Sequence, residues 1–165
     1  MIAPQKPHVA IFAFPFGTHA APVLSLCRHL AASAPDVTFS FFTTPKSNAS
    51  LAAWGPLPNL RIRDLWDGAP PADGGVAPVS RTQEENVELF LKATPGNLKE
   101  ALRRAVEEEA GDATCVISDA FLWSAGEMAE EMGVPWLAVW TSGAASLAAH
   151  SYTDLLRSTF GTGED

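Results

Sequence analysis

A chain of 165 residues, 47% hydrophobic and 18% charged, has the composition of an ordinary globular domain with room for one core. Its formal net charge of −8 and pI near 4.9 leave no basic stripe for nucleic-acid phosphates. Its first apolar run, broken by Pro15 and Gly17, is too short to span a bilayer. Much of the negative charge lies in Glu107–Glu109, Glu127, Glu130 and Glu131, which read as solvated helix faces. The two cysteines, Cys27 and Cys115, fall in an expected helix and strand and read as small core residues. Met1–Pro7 precedes no apolar region of signal-sequence form. A reducing, cytoplasmic location is therefore expected.

In chain order, His8–Phe14 is predicted as a buried strand and Ala20–Ala34 as a helix with Val23, Leu26, Cys27, Leu30, Ala31 and Ala34 on its apolar face. Val37–Thr43 is a β-branched and aromatic strand, and Leu60–Asp64 alternates like an edge strand. The Pro- and Gly-rich stretch Trp54–Arg81 otherwise reads as a long surface loop. Gln83–Glu109 has helical periodicity through Val87, Phe90, Leu91, Leu98, Ala101, Leu102 and Ala105, with a kink or split required at Pro95-Gly96. Thr114–Ser118 is a short strand, and Phe121–Met132 a helix with Leu122, Ala125, Ala129 and Met132 on one stripe. After the stop signal Gly133-Val134-Pro135 come a strand at Trp136–Trp140 and a helix from Ser142 past Tyr152. Strands alternating with helices predict an α/β fold, a Rossmann-like parallel sheet flanked by helices.

The turn Pro15-Phe16-Gly17-Thr18-His19 joins the first strand to the first helix. A dinucleotide-binding turn needs further glycines, and a phosphate loop needs Gly-Lys-Ser/Thr; both are absent here. Two readings stand: a helix start capped by Thr18 beside an incidental surface histidine, or an imidazole at a strand end, where open α/β sheets bind ligands. Asp119 likewise ends a strand, either as a helix cap or as the carboxylate that orients His19 acting as a general base. Thr141-Ser142 caps the last helix or greets an anion there. Gln83 opens its helix beside Glu84 and Glu85, where a solvated first turn is the simpler reading, and His150 is a lone helical histidine. Ser118 and Ser142 lack a Gly-x-Ser-x-Gly setting. The four histidines show no His-x-x-x-His pairing and the cysteines are far apart, so no metal site is expected. A hydrolase using His19 and Asp119 to activate water would lack both a nucleophile motif and metal ligands.

The segments His8-Val-Ala-Ile-Phe-Ala-Phe-Pro-Phe-Gly-Thr-His-Ala-Ala-Pro22, Ser118-Asp-Ala-Phe-Leu-Trp123, Met132-Gly-Val-Pro-Trp136 and Trp140-Thr-Ser-Gly143 resemble, in order, those of plant family 1 UDP-glycosyltransferases. Phe39-Ser-Phe-Phe42 and Ser47-Asn-Ala-Ser50 bring the likeness nearest to flavonoid and anthocyanidin 3-O-glucosyltransferases. The resemblance implies that residues 1–165 are part of the amino-terminal, acceptor-binding domain of a two-domain GT-B enzyme. Its UDP-sugar-binding carboxyl-terminal domain would be absent, and Gly161–Asp165 is not a convincing natural end. His19 would be the general base and Asp119 its orienting carboxylate. Phe14, Gln83, Phe121 and His150, with His19, would meet the flavonoid acceptor; Gly17, Thr18 and Thr141 would meet the donor. Gly17 stands where some flavonoid enzymes carry serine, which removes a side-chain contact there. The donor substrate would be UDP-glucose with no other cofactor, and the complete enzyme is expected to be monomeric. A truncated, non-catalytic small-molecule binding domain is the alternative.

Overall fold

The computed structural model describes residues 6–70, 81–109 and 111–161. Part of the expected loop (71–80) and the terminal segments 1–5 and 162–165 lie outside the described residues. Five strands, β1 (His8–Phe12), β2 (Thr38–Thr43), β3 (Leu60–Asp64), β4 (Ala113–Asp119) and β5 (Trp136–Val139), form one all-parallel sheet in the order β3-β2-β1-β4-β5. The helices are α1 (Ala20–Ser33), α2 (Pro45–Leu51), α3 (Gln83–Ala93), α4 (Gly96–Glu109), α5 (Trp123–Met132), α6 (Ala144–Ser151) and α7 (Thr153–Phe160). Among the described residues no helix is long and apolar enough to cross a membrane.

Side-chain alternation along the strands divides the core in two. Ala10 and Phe12 of β1, Phe42 of β2 and Val116 of β4 face α3, α4 and α5, packing on Phe90, Leu98, Leu102, Leu122 and Ala125. Ile11, Phe39, Phe41 and Ile117 face the other way onto Val23, Leu24, Cys27 and Ala31 of α1. Cover on both faces of the central strands β1, β2 and β4 explains their near-continuous apolar sequence. Asn59 ties α1 to the sheet: its Nδ2 lies 2.9–3.0 Å from the carbonyls of Ala31, Ala34 and Val37, where α1 ends and β2 begins.

Several boundaries differ from the sequence expectation. β1 stops at Phe12 rather than Phe14, because Pro15 has no N–H to continue the ladder; Ala13 N–H still reaches Phe42 O at 2.9 Å. Leu26 is exposed and Leu24 buried in its stead, since the buried stripe of α1 runs through Ala20, Val23, Leu24, Cys27 and Ala31. Leu91 and Met132 are also exposed, and Met128 takes the core position expected of Met132. The long helical stretch splits completely: Thr94 is extended before Pro95, as a pre-proline residue prefers, and α4 starts afresh at Gly96. Ser47–Ser50 belongs to α2, an unpredicted helix with Thr44 as its cap and Pro45 at its first position. The last helix breaks at Tyr152 into α6 and α7, with Thr153 Oγ1 donating to the freed carbonyl of His150 at 2.9 Å. Gly68 has φ +83° and lies so close to α3 that a Cβ would fall 2.2 Å from Leu89 O, so only glycine fits.

A buried polar chain crosses the end of the sheet where β1 begins. Arg63 Nε donates to Ser40 Oγ at 2.9 Å, and Ser40 Oγ lies 2.9 Å from His8 Nε2. Gly111 O can only accept, which puts the His8 proton on Nδ1, so the Ser40 hydroxyl, accepting from Arg63, donates to Nε2. Arg63 is in turn paired with Glu108 and Glu109, and Arg61 with Glu109. Burial pushes the His8 pKa down, with Arg63 adding to that effect and the Gly111 bond and Glu109 opposing it. A histidine whose folded pKa lies below its unfolded value leaves stability intact above the unfolded pKa of about 6.5. Stability then falls as the pH drops from there through the folded pKa, because only the unfolded chain takes the proton. Urea midpoints measured between pH 7.5 and 5.5 are expected to fall more steeply for the native sequence than for His8→Gln; equal slopes would refute this account.

Candidate functional site

The chain runs from β1 outward through β2 to β3, then returns to lay β4 and β5 on the other side of β1. The reversal puts the ends of β1 and β4 side by side, at the switch point where open sheets bind ligands. Register fixes their level: Phe12 pairs with Ser118, and Asp119 with Val139 of β5. The turns after β1, β4 and β5 therefore emerge together, carrying His19, Asp119 and Thr141.

His19 stands immediately before α1 and leaves that helix without a side-chain cap. Gly17, at φ +61°, provides the left-handed residue that turns the chain back into the helix. The His19 Nδ1 lies 2.8 Å from Asp119 Oδ2 and 2.9 Å from Thr141 Oγ1. Asp119 is almost fully buried, at 1% exposure, and both of its oxygens are engaged, since Oδ1 accepts the Phe121 N–H at 2.9 Å. That turn delays α5 to Trp123, two residues after the expected start, and Asp119 serves it without capping the helix itself. A carboxylate accepts only, so it holds the imidazole proton on Nδ1 and leaves a lone pair on Nε2. Nε2 has no hydrogen-bond partner among the described residues. The arrangement can take a proton at Nε2 and stabilise the resulting imidazolium through Asp119.

The imidazole is clamped by aromatic rings. Phe14 meets it edge-on with centroids 5.3 Å apart, and Phe121 lies 4.7 Å away on a tilted plane. Phe14 also makes edge contacts with Phe16, Phe90 and Phe121. Phe14, Phe16 and Phe121, together with Gln83, Val87, Leu91 and Trp123, surround a cavity of about 440 Å³ that opens beside His19. A planar aromatic molecule suits such walls.

Of the residues singled out in the sequence, Phe14, Gly17, His19, Gln83 and Phe121 line this cavity. Thr141 and His150 do not. They line a smaller cavity of about 160 Å³ with Asp119, Trp140 and Ser146, which shares only His19 and Phe121 with the first. His150 donates from Nδ1 to Ser146 O at 3.0 Å and packs on Trp140 at 4.8 Å. Thr18 is exposed and lines neither cavity. Sequence reasoning missed Phe16, Trp123 and Trp140. Phe16 carried a signal, its place in the His19 turn; the other two become visible only when strand order is known.

No family model matches the chain. It is 50% identical over 155 residues to an anthocyanidin 3-O-galactosyltransferase of Rhododendron delavayi, covering 93% of this chain and 33% of that protein. It is 45% identical over 172 residues to a flavonol 3-O-glucosyltransferase of Arabidopsis thaliana, covering 99% and 36%. Among solved structures, a UDP-glucose:anthocyanidin 3-O-glucosyltransferase crystallised with UDP superposes with a TM-score of 0.82 at 40% identity, over 93% of this chain and 34% of that one. Apo UGT2 of Phytolacca americana, at 19% identity and a TM-score of 0.68, shares the fold. The chain thus spans about a third of the length of the relatives it matches.

Proposed function

We propose, from homology to flavonoid 3-O-glycosyltransferases over about a third of their length, that this chain is the acceptor-binding part of such a UDP-sugar-dependent enzyme. Residues 1–165 belong in this reading to the amino-terminal domain of a GT-B transferase, and a second domain completes the UDP-sugar site. The flavonol or anthocyanidin rings lie in the aromatic cavity against Phe14 and Phe121, where Gln83 meets a ring hydroxyl, and His150 approaches the acceptor from the adjoining cavity beyond Phe121. His19 Nε2 takes the proton of the 3-hydroxyl. The oxygen attacks the anomeric carbon of UDP-glucose in line, the bond from that carbon to the UDP oxygen breaks, and UDP departs with inversion. Gly17, Thr18 and Thr141 border the donor. In this reading the complete enzyme acts as a monomer. Its free cysteines fit a reducing cytosol, with burial holding the Cys27 thiol up at about 12.

The observation that carries this reading is the contact of the His19–Asp119 pair with an aromatic cavity: Nδ1 is tied to a buried carboxylate while the ring itself forms part of the cavity wall. The test is transfer from UDP-glucose to quercetin, followed by chromatography. A full-length protein carrying this chain is expected to yield the 3-O-glucoside, whereas the 165-residue chain alone binds the flavonol without turnover. Turnover by the isolated chain near the full-length rate would refute the division of labour. Failure of the full-length protein to glycosylate any flavonoid would refute the function.

A further inference from the structure

Beside the aromatic cavity lies another of about 410 Å³, and the two share Phe16, Gly17 and Gln83. Across that rim the lining changes from aromatic to mixed polar, contributed by Thr44, Lys46, Ser47, Asp67, Arg81 and Asn86. Among the described residues no ion pair joins Lys46 or Arg81 to Asp67. Asp67 commits Oδ1 to the Ala69 N–H, and Asn86 commits its amide donor to Thr82 O. Among the described residues the second carboxylate oxygen and the amide oxygen have no partner, in a cavity that the cationic Lys46 and Arg81 also line.

That mixture discriminates among ligands. An anion gains from Lys46 and Arg81 but meets Asp67; a cation meets the reverse; an apolar group strips water from all three without replacing its hydrogen bonds. A neutral polyol satisfies both signs, because each hydroxyl can donate to the carboxylate and accept from the cations. Phe16 at the rim gives a sugar ring an apolar face to lie against. We infer that this cavity is a glycosyl subsite, and that the protein takes an aromatic acceptor already carrying a neutral hexosyl group on a ring remote from the hydroxyl offered to His19. The inference rests on the acceptor-binding reading above. It places this protein after another O-glycosylation of the same scaffold.

Tryptophan fluorescence of the 165-residue chain, titrated with quercetin, quercetin 7-O-glucoside and quercetin 4′-O-glucoside, tests it. At least one glucoside is expected to bind about tenfold more tightly than the aglycone, the worth of one charge-assisted hydrogen bond. The double variant Lys46→Ala/Arg81→Ala removes that advantage and leaves aglycone binding unchanged. Aglycone binding with no preference for either glucoside, or a preference that survives the double variant, overturns the subsite and leaves the acceptor reading intact. Binding of none of the three overturns both.

Discussion

Asp119→Asn in a full-length transferase carrying this chain is expected to lower kcat by about 10²–10⁴-fold while sparing flavonol affinity. The cause is a shortage of acceptors. Asp119 receives the Phe121 N–H on one oxygen and the His19 Nδ1–H on the other. Asparagine has a single oxygen. If that oxygen serves Phe121, the amide NH₂ turns toward His19, the imidazole proton moves to Nε2, and the base loses its lone pair. If it serves His19, the NH₂ opposes the Phe121 N–H and a buried donor goes unpaired. A loss of kcat with quercetin Kd unchanged by fluorescence identifies orientation of the base as the damage. An unchanged kcat would remove Asp119 from the mechanism.

The second large effect concerns stability. Phe90→Ala is expected to cost about 3–5 kcal/mol, read as a fall in urea midpoint at constant m-value. Phe90 is the one side chain of α3 that is fully buried, and its ring meets Phe14 and Phe16 edge-on at 6.0 and 5.8 Å. Its loss leaves a void under the aromatic cavity and unpins the helix that carries Gln83, Val87 and Leu91. Flavonol affinity should therefore weaken in parallel. Phe90→Leu keeps most of the volume and should cost about 1 kcal/mol, with binding largely retained. A Phe90→Ala protein as stable as the native one would mean that α3 is held by something other than this ring.

How far these features could be read from the sequence depended on the range of the forces behind them. β2 and β4 were legible because strands buried on both faces are apolar throughout, and β3 because it kept the alternation of an edge. The stripe of α1 was misjudged at Leu26, since a stripe's margins depend on the neighbouring layer and not on periodicity alone. α2 was missed because its core contribution is slight; Thr44 and Pro45 announced it by cap chemistry, which a search for apolar spacing passes over. His19 and Asp119 were each identifiable as strand-end residues. Their 2.8 Å contact was not, because it spans 100 residues and depends on β4 returning beside β1. The separation of His150 from Gln83 into different cavities was equally hidden, since Phe121 and Trp140 come between them only in space.

The β1–β4 ladder has one irregularity, between His8 and Val9, at the end opposite His19 and Asp119. From Val9 to Phe12 the pairing is continuous up to Ser118. Errors of length entering from the α4–β4 connection are thus absorbed four residues before they could reach the reacting groups. Insertions near residues 109–113 should be tolerated for that reason. A single residue added between Val116 and Asp119 would turn the carboxylate to the opposite face of the sheet. The molecule accordingly has one end that can drift in length over generations and one end that cannot.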